Sequence, residues 1–382
     1  MIDYFEGIPD VAPLPVGYNP ATWMLECIGA GVSNPVADER DFVQMFNNSP
    51  QRALLDSTLD QDGMAKPSTK YSEIVFTEKR AANSMVQARF LLQRFFRMYW
   101  RTPTYNLTRF FISIFLALLF GIIFVGSEYD SYSGLNSGVG MVFLAAYFNA
   151  MVSYQSVLPL ASEERASFYR ERASQTYNAF WYFVGTFVVE IPYAAFAAAI
   201  FVIIFYPMVG FTDVTAGVVF WVCETLLILM QVYMGQMFSY ALPSEEVANI
   251  IGVLFNSVFG LFMGFSPPSY AIPAGYKWLY KIAPPRFPLA ILVALVFGDC
   301  DEEPTWNEAL EQYENVNSQL GCQPMSNAPV TVGHITLKGY VEEYFGMKHD
   351  EIVQNFFIMI GWMGAFLFFS LLSLRYVNHQ KR

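Results

Sequence analysis

A chain of 382 residues that is 54% hydrophobic, 17% aromatic and only 14% charged is too apolar for an ordinary soluble domain. Its net charge of −11, with no basic patch away from the apolar stretches, argues against nucleic acid as a partner. The acidic excess sits in two hydrophilic regions, residues 1–83 with 12 acids against 6 bases and residues 268–353 with 11 against 5.

Residues 1–83 read as a cytoplasmic lead-in, rich in Pro and Gly up to Pro35, then polar and loosely helical. It is too short and interrupted to bury a large core alone. Met1-Ile2-Asp3-Tyr4-Phe5-Glu6 has neither a basic start nor an apolar core, so insertion is expected to depend on the first span rather than on a secretory signal. Residues 84–106 predict an amphipathic connecting helix, with Arg89, Gln93, Arg97 and Arg101 four apart and Phe90, Leu91, Phe95, Met98 and Tyr99 on the other faces. Thr102-Pro103 ends it, and a basic amphipathic helix beside a span is expected to lie in the cytoplasmic interface.

Six apolar stretches follow, 110–126, 138–160, 179–206, 217–242 and 247–267 within residues 107–267, and 356–374 within residues 354–382. Each approaches the roughly 20 residues that a helix needs to cross a bilayer. Backbone groups inside lipid must be paired within their own segment, so these are helices and not strands. Two stretches carry one carboxylate apiece, Glu190 and Glu224. A charge at mid-bilayer is costly unless partnered, so each reads either as a proton or substrate site or as a structural carboxyl at a bundle interface.

Arg89, Arg94, Arg97, Arg101 and Arg109 lead into the first span, Arg165, Arg170 and Arg172 follow the second, and Arg375, Lys381 and Arg382 follow the sixth. Residues 127–137 and 207–216 contain no Lys or Arg. By the positive-inside rule both termini are cytoplasmic. Residues 268–353 then form a long external loop. Within it, 287–298 is apolar but too short to span, which predicts a re-entrant or interfacial helix. Cys300 and Cys322 face an oxidising space and are expected to form a disulfide. Cys27 and Cys223 read as small buried hydrophobes.

Catalytic patterns are absent from the sequence: no Gly-x4-Gly-Lys-Ser/Thr, no His-Glu-x-x-His, no Cys-x-x-Cys, and His334, His349 and His379 are scattered. No catalytic residue and no metal site are expected, and this chain alone should not hydrolyse ATP.

Gly17-Tyr18-Asn19-Pro20-Ala21-Thr22-Trp23-Met24-Leu25-Glu26 resembles the signature that follows the nucleotide-binding domain in pleiotropic-drug-resistance transporters of the ABC G subfamily. Ile2-Asp3-Tyr4-Phe5-Glu6, Phe168-Tyr169-Arg170-Glu171-Arg172, Glu190-Ile191-Pro192-Tyr193 and Tyr344-Phe345-Gly346-Met347-Lys348-His349-Asp350 match in family order, so the resemblance covers essentially the whole chain. It implies an all-α membrane protein of the ABC-2, or type II exporter, fold: six transmembrane helices, a connecting helix and a long external loop.

The intact family protein pairs two such six-helix domains with two ATPase domains that bind ATP and Mg. This copy resembles the C-terminal membrane half, so Met1 is expected to be internal in full-length members. The implied function is the permease part of an ATP-driven exporter of hydrophobic or amphipathic compounds, xenobiotics or lipids, at the plasma membrane; the alternative is a self-sufficient channel or ion-coupled carrier. The implied substrate path runs between the second and fifth spans, where Asn149 and Val152, and Asn256, Phe259 and Met263, recur at helical spacing. In the family a short helix after the second span presses on the ATPase domain. That assigns coupling to Glu163, Glu164, Arg165, Arg170, Glu171 and Arg172, with Arg94 and Arg97 nearby.

Overall fold

Asn19 shows how local sequence places a helix start. Its side chain accepts from Ala21 N at 2.9 Å, Pro20 occupies the first turn, and Trp23 is buried with its indole N–H on Ala12 O at 3.1 Å. The Asn-Pro-Ala-Thr-Trp signature is thus a cap, a helix-starting proline and an anchor. It belongs to the first of two units, Met1–Glu78, which contains α1 (Ile2–Glu6), α2 (Pro20–Cys27), α3 (Phe42–Asn47) and α4 (Pro50–Leu59). The computed structural model describes residues 1–29, 41–65, 68, 70, 80, 82–308 and 312–379, so Pro35, Lys381 and Arg382 lie outside the described residues. Cys27 is half-buried rather than buried.

The second unit, Lys79–Arg382, holds the remaining helices. They are α5 (Ser84–Trp100), α6 (Pro103–Ile123), α7 (Tyr132–Ala173), α8 (Ala179–Met208), α9 (Val214–Ala241) and α10 (Glu245–Leu261). After them come α11 (Lys277–Ile282), α12 (Arg286–Phe297), α13 (Leu337–Tyr340) and α14 (Ile352–Tyr376). Asn83, Ser131, Asn178, Asp213 and Ser244 cap α5, α7, α8, α9 and α10 through their side chains. Among the described residues five helices, α6, α7, α8, α9 and that ending at Tyr376, are long and apolar enough to cross a membrane. α9 packs against α7, α8 and α14 and forms the middle of the bundle.

Several expected boundaries move. The predicted helix over 84–106 is two helices, because Pro103 opens α6 instead of merely ending α5. The second span does not give way to a loop at residue 160: α7 continues unbroken through Ala173, roughly 20 Å further. Mixed-sign charges disguised this extension, since they interrupt apolarity without breaking a helix. The fifth stretch, expected to reach residue 267, is helical for only 17 residues to Leu261. There the helix gives way to a turn that includes Gly264, at φ +95.

α12 carries ten buried residues out of 12, whereas an interfacial helix would leave one face open. It meets the segment Ala274–Ile282 at 84°, the geometry of a broken or re-entrant span. Beyond it, β1 (Thr305–Asn307) pairs antiparallel with β2 (Gln312–Glu314), with Trp306 opposite Tyr313. Cys300 and Cys322 are joined by a disulfide, with Cα atoms 5.0 Å apart.

Two glycines permit close approach of the helices. A Cβ on Gly252 would lie 1.7 Å from Tyr154 Oη, so α10 can accept the Tyr154 hydroxyl on Ala248 O at 2.6 Å only because that position is bare. A Cβ on Gly185 would meet the Phe95 ring at 2.6 Å, and its absence seats α5 on α8.

Candidate functional site

Glu190 is fully enclosed, in the third predicted span, and two other helices, α5 and α6, converge on it. Tyr99 of α5 donates to Oε1 at 2.8 Å, Tyr105 of α6 donates to Oε2 at 2.6 Å, and Arg109 of α6 donates to Oε2 at 3.3 Å. Arg109 also donates to Ser156 of α7 at 2.9 Å and lies 4.5 Å from the centre of the Tyr105 ring. Asn106 donates to Tyr99 O.

The apolar sequence around Glu190 puts it inside the bundle, and only partners brought by neighbouring helices offset the loss of water. The set therefore reads as a polar clasp between α5, α6, α7 and α8. Arg109, read from sequence as leading into the first span, is 2% exposed and turned into the bundle. Tyr99, Tyr105 and Arg109 were not singled out as site residues. The available signal was Tyr105 and Arg109 four apart on one helix, next to a bundle with few acids to pair.

Glu224 is also buried, in α9. Asn149 of α7 donates to its Oε1 at 2.7 Å, while Oε2 has no partner among the described residues. The residues expected to line the substrate path divide by burial. Asn149 is committed to Glu224, Asn256 donates to Gly252 O of its own helix at 3.1 Å, and Met263 is 1% exposed, so these three lie inside the domain. Val152 and Phe259 are half-exposed. Beside them Phe148 of α7 and Leu254 and Phe255 of α10 face outward. At the end of α7 nearer Tyr132, aromatic residues including Phe265, Tyr270, Tyr340 and Tyr344 line a cavity of about 230 Å³.

The charges beyond residue 160 separate into three groups. Arg94 of α5 donates to Glu171 at 2.7 and 2.8 Å and to Glu164 at 3.1 Å, binding α5 to the far end of α7. Burial works against the Arg94 charge, but the hydrogen bond to Glu171 and the charges of both carboxylates outweigh it and raise its pKa. Tyr177 closes the group by donating to Glu171 at 2.5 Å; burial first, then that bond, push its phenol up.

The second group is structural. Arg165 donates to the carbonyls of Ser239, Leu242 and Pro243 at the end of α9, and Arg172 to those of Leu374 and Arg375 at the end of α14. The family resemblance assigns both to the ATPase contact; their donors are turned onto helix C-terminal carbonyls of this unit. The third group, Glu163, Arg170 and Arg97, is exposed.

Comparison with known proteins bears on this arrangement. The family described as "ABC-2 type transporter" matches residues 86–297, and that described as "CDR ABC transporter" matches residues 309–382. The chain is 31% identical over 393 residues to "Pleiotropic drug resistance protein 1" of Petunia hybrida and 32% identical over 395 residues to "ABC transporter G family member 36" of Oryza sativa subsp. indica. It is 28% identical over 386 residues to "ABC transporter G family member 36" of Arabidopsis thaliana. All of the chain is covered in each case, and it spans 24% of the length of each of these relatives. With five to six candidate spans in a mostly helical second unit, the chain belongs to the ABC-2 type transporter family, as a multi-pass membrane domain of the pleiotropic-drug-resistance kind.

Proposed function

We propose that this chain is the permease part of an ATP-driven exporter of hydrophobic or amphipathic compounds, xenobiotics or lipids, in the plasma membrane with both termini cytoplasmic. It works with two domains that bind ATP and Mg and with a second six-helix domain. The observation that carries the reading is the junction of Arg94 with Glu164 and Glu171, which makes α5 and the 42-residue α7 one mechanical piece.

Exposed Glu163, Arg170 and Arg97 at that junction meet the ATPase domain, and α7 conveys the movement into the bundle. Substrate passes along the outward face of α7 and α10, with Val152 and Phe259 as lining residues and Asn149, Asn256 and Met263 one layer behind as supports. Few polar groups among large apolar side chains suit bulky amphipathic ligands.

The test is vesicle transport by the full-length protein containing this segment. ATP-dependent uptake of a hydrophobic dye into inside-out vesicles, abolished when the ATPase domains are inactivated, is the expected result. Dye or ion flux through liposomes carrying this segment alone would instead mark a self-sufficient channel or carrier.

A further inference from the structure

A cavity of about 700 Å³ opens where the end of α7, the start of α8 and the end of α14 come together. Arg80, Arg172 and Arg375 line it, and among the described residues no carboxylate does. Arg80 Nε is shielded from solvent and has no hydrogen-bond partner among the described residues. Arg172 turns two nitrogens onto the carbonyls of Leu374 and Arg375, which fixes its guanidinium at the cavity wall. Gln175, Tyr177 and Asn178 add polar groups, while the side formed by the start of α8 and the end of α14 is apolar. Phe180, Phe368 and Leu371 contribute to it, and Phe368 is 57% exposed on the face of α14 that continues along the span.

We infer that this cavity is a binding site for an anionic phospholipid, its phosphate held by the three guanidinium groups and an acyl chain lying on Phe368 and Leu371. Guanidinium matches phosphate geometry and always carries its charge. Three such groups favour a headgroup of net negative charge over a zwitterionic one whose charges cancel. An apolar wall running on into the span is what an acyl chain needs and what a free phosphate does not. Basic pockets between helices at the cytoplasmic boundary are where inner-leaflet anionic lipids collect. The choice of leaflet rests on the orientation proposed above; the lipid chemistry does not.

The test is native mass spectrometry of the whole 382-residue chain, released from nanodiscs containing equal amounts of phosphatidylserine and phosphatidylcholine. Retained phosphatidylserine is expected to exceed phosphatidylcholine, and Arg80→Gln with Arg375→Gln should reduce that retention about tenfold. Arg80→Lys with Arg375→Lys should keep most of it. The exposed pair Arg89→Gln with Arg101→Gln, away from the cavity, should leave it unchanged. Equal retention of both lipids, or the same loss in the Arg89 and Arg101 pair, would overturn the site. Full competition by glycerol phosphate, which has no acyl chain, would also overturn it in favour of a free-phosphate site. Monodisperse elution and an unchanged melting temperature exclude unfolding as the cause of loss. Neither nucleotide nor transport enters the readout, so failure here and failure of the exporter reading are separable.

Discussion

Arg109 and Glu190 come from different helices, 81 residues apart in sequence, and meet at 3.3 Å with side chains 2% and 0% exposed. A buried pair of this kind adds little net stability over a well-packed apolar pair, but removing one partner strands the other charge. Arg109→Met should therefore lower the stability of the detergent-solubilised protein by about 3–5 kcal/mol. Arg109→Met combined with Glu190→Gln should recover part of the loss, because no charge is stranded and the amide oxygen still accepts from one tyrosine while its NH2 donates to the hydroxyl oxygen of the other. Thermal unfolding of the two variants checks this; a double variant worse than the single would refute the pairing.

Arg165 and Arg170 give a paired contrast. Arg165 holds three carbonyls at the end of α9, and Arg165→Ala should cost about 2–3 kcal/mol, the scale of a charge-assisted bond plus buried acceptors left bare. Arg165→Lys should rescue it only partly, since a point ammonium does not span the carbonyls as a planar fork does. Arg170 is exposed, and Arg170→Ala should change stability by no more than about 0.5 kcal/mol. Equal melting temperatures for Arg165→Ala and Arg170→Ala would contradict the assignment.

At the crossing of α7 and α10, Gly252→Ala should destabilise by about 1–3 kcal/mol, because the new methyl overlaps the Tyr154 ring. In a Tyr154→Ala background the same substitution should cost clearly less. A double-mutant cycle on unfolding midpoints measures the difference, and strict additivity would show that the two side chains do not meet.

The disulfide between Cys300 and Cys322 should leave both thiols unreactive to maleimide in the unreduced protein. Reduction should remove roughly 3 kcal/mol of chain-entropy stabilisation from the segment between α12 and α13. Labelling of either cysteine without reductant would sink the cross-link.

The helices were largely legible in the sequence, because apolar length and capping residues are local signals. The stretch 179–206 became Ala179–Met208, and 217–242 became Val214–Ala241. The site was much less legible. A basic residue beside an apolar run looks the same whether it lies among headgroups or turns inward, so Arg109 was read as an orienting flank. Arg165 and Arg172 sit in a charged cluster whose composition fits a docking surface equally well; only the carbonyls ending α9 and α14, more than 70 and 200 residues away, show where they point. Asn149 and Asn256 share the helical spacing of lining residues, but spacing fixes a face and not what covers it.

Charge reversal across one ion pair probes coupling through the junction of α5 and α7. In the full-length transporter, Arg94→Glu should leave ATP binding and basal hydrolysis in place while dye export and dye-stimulated hydrolysis fall about tenfold, within the usual ~1–3 kcal/mol of coupling between sites. Adding Glu171→Arg should restore part of both. Unchanged export and stimulated hydrolysis in Arg94→Glu would contradict the account.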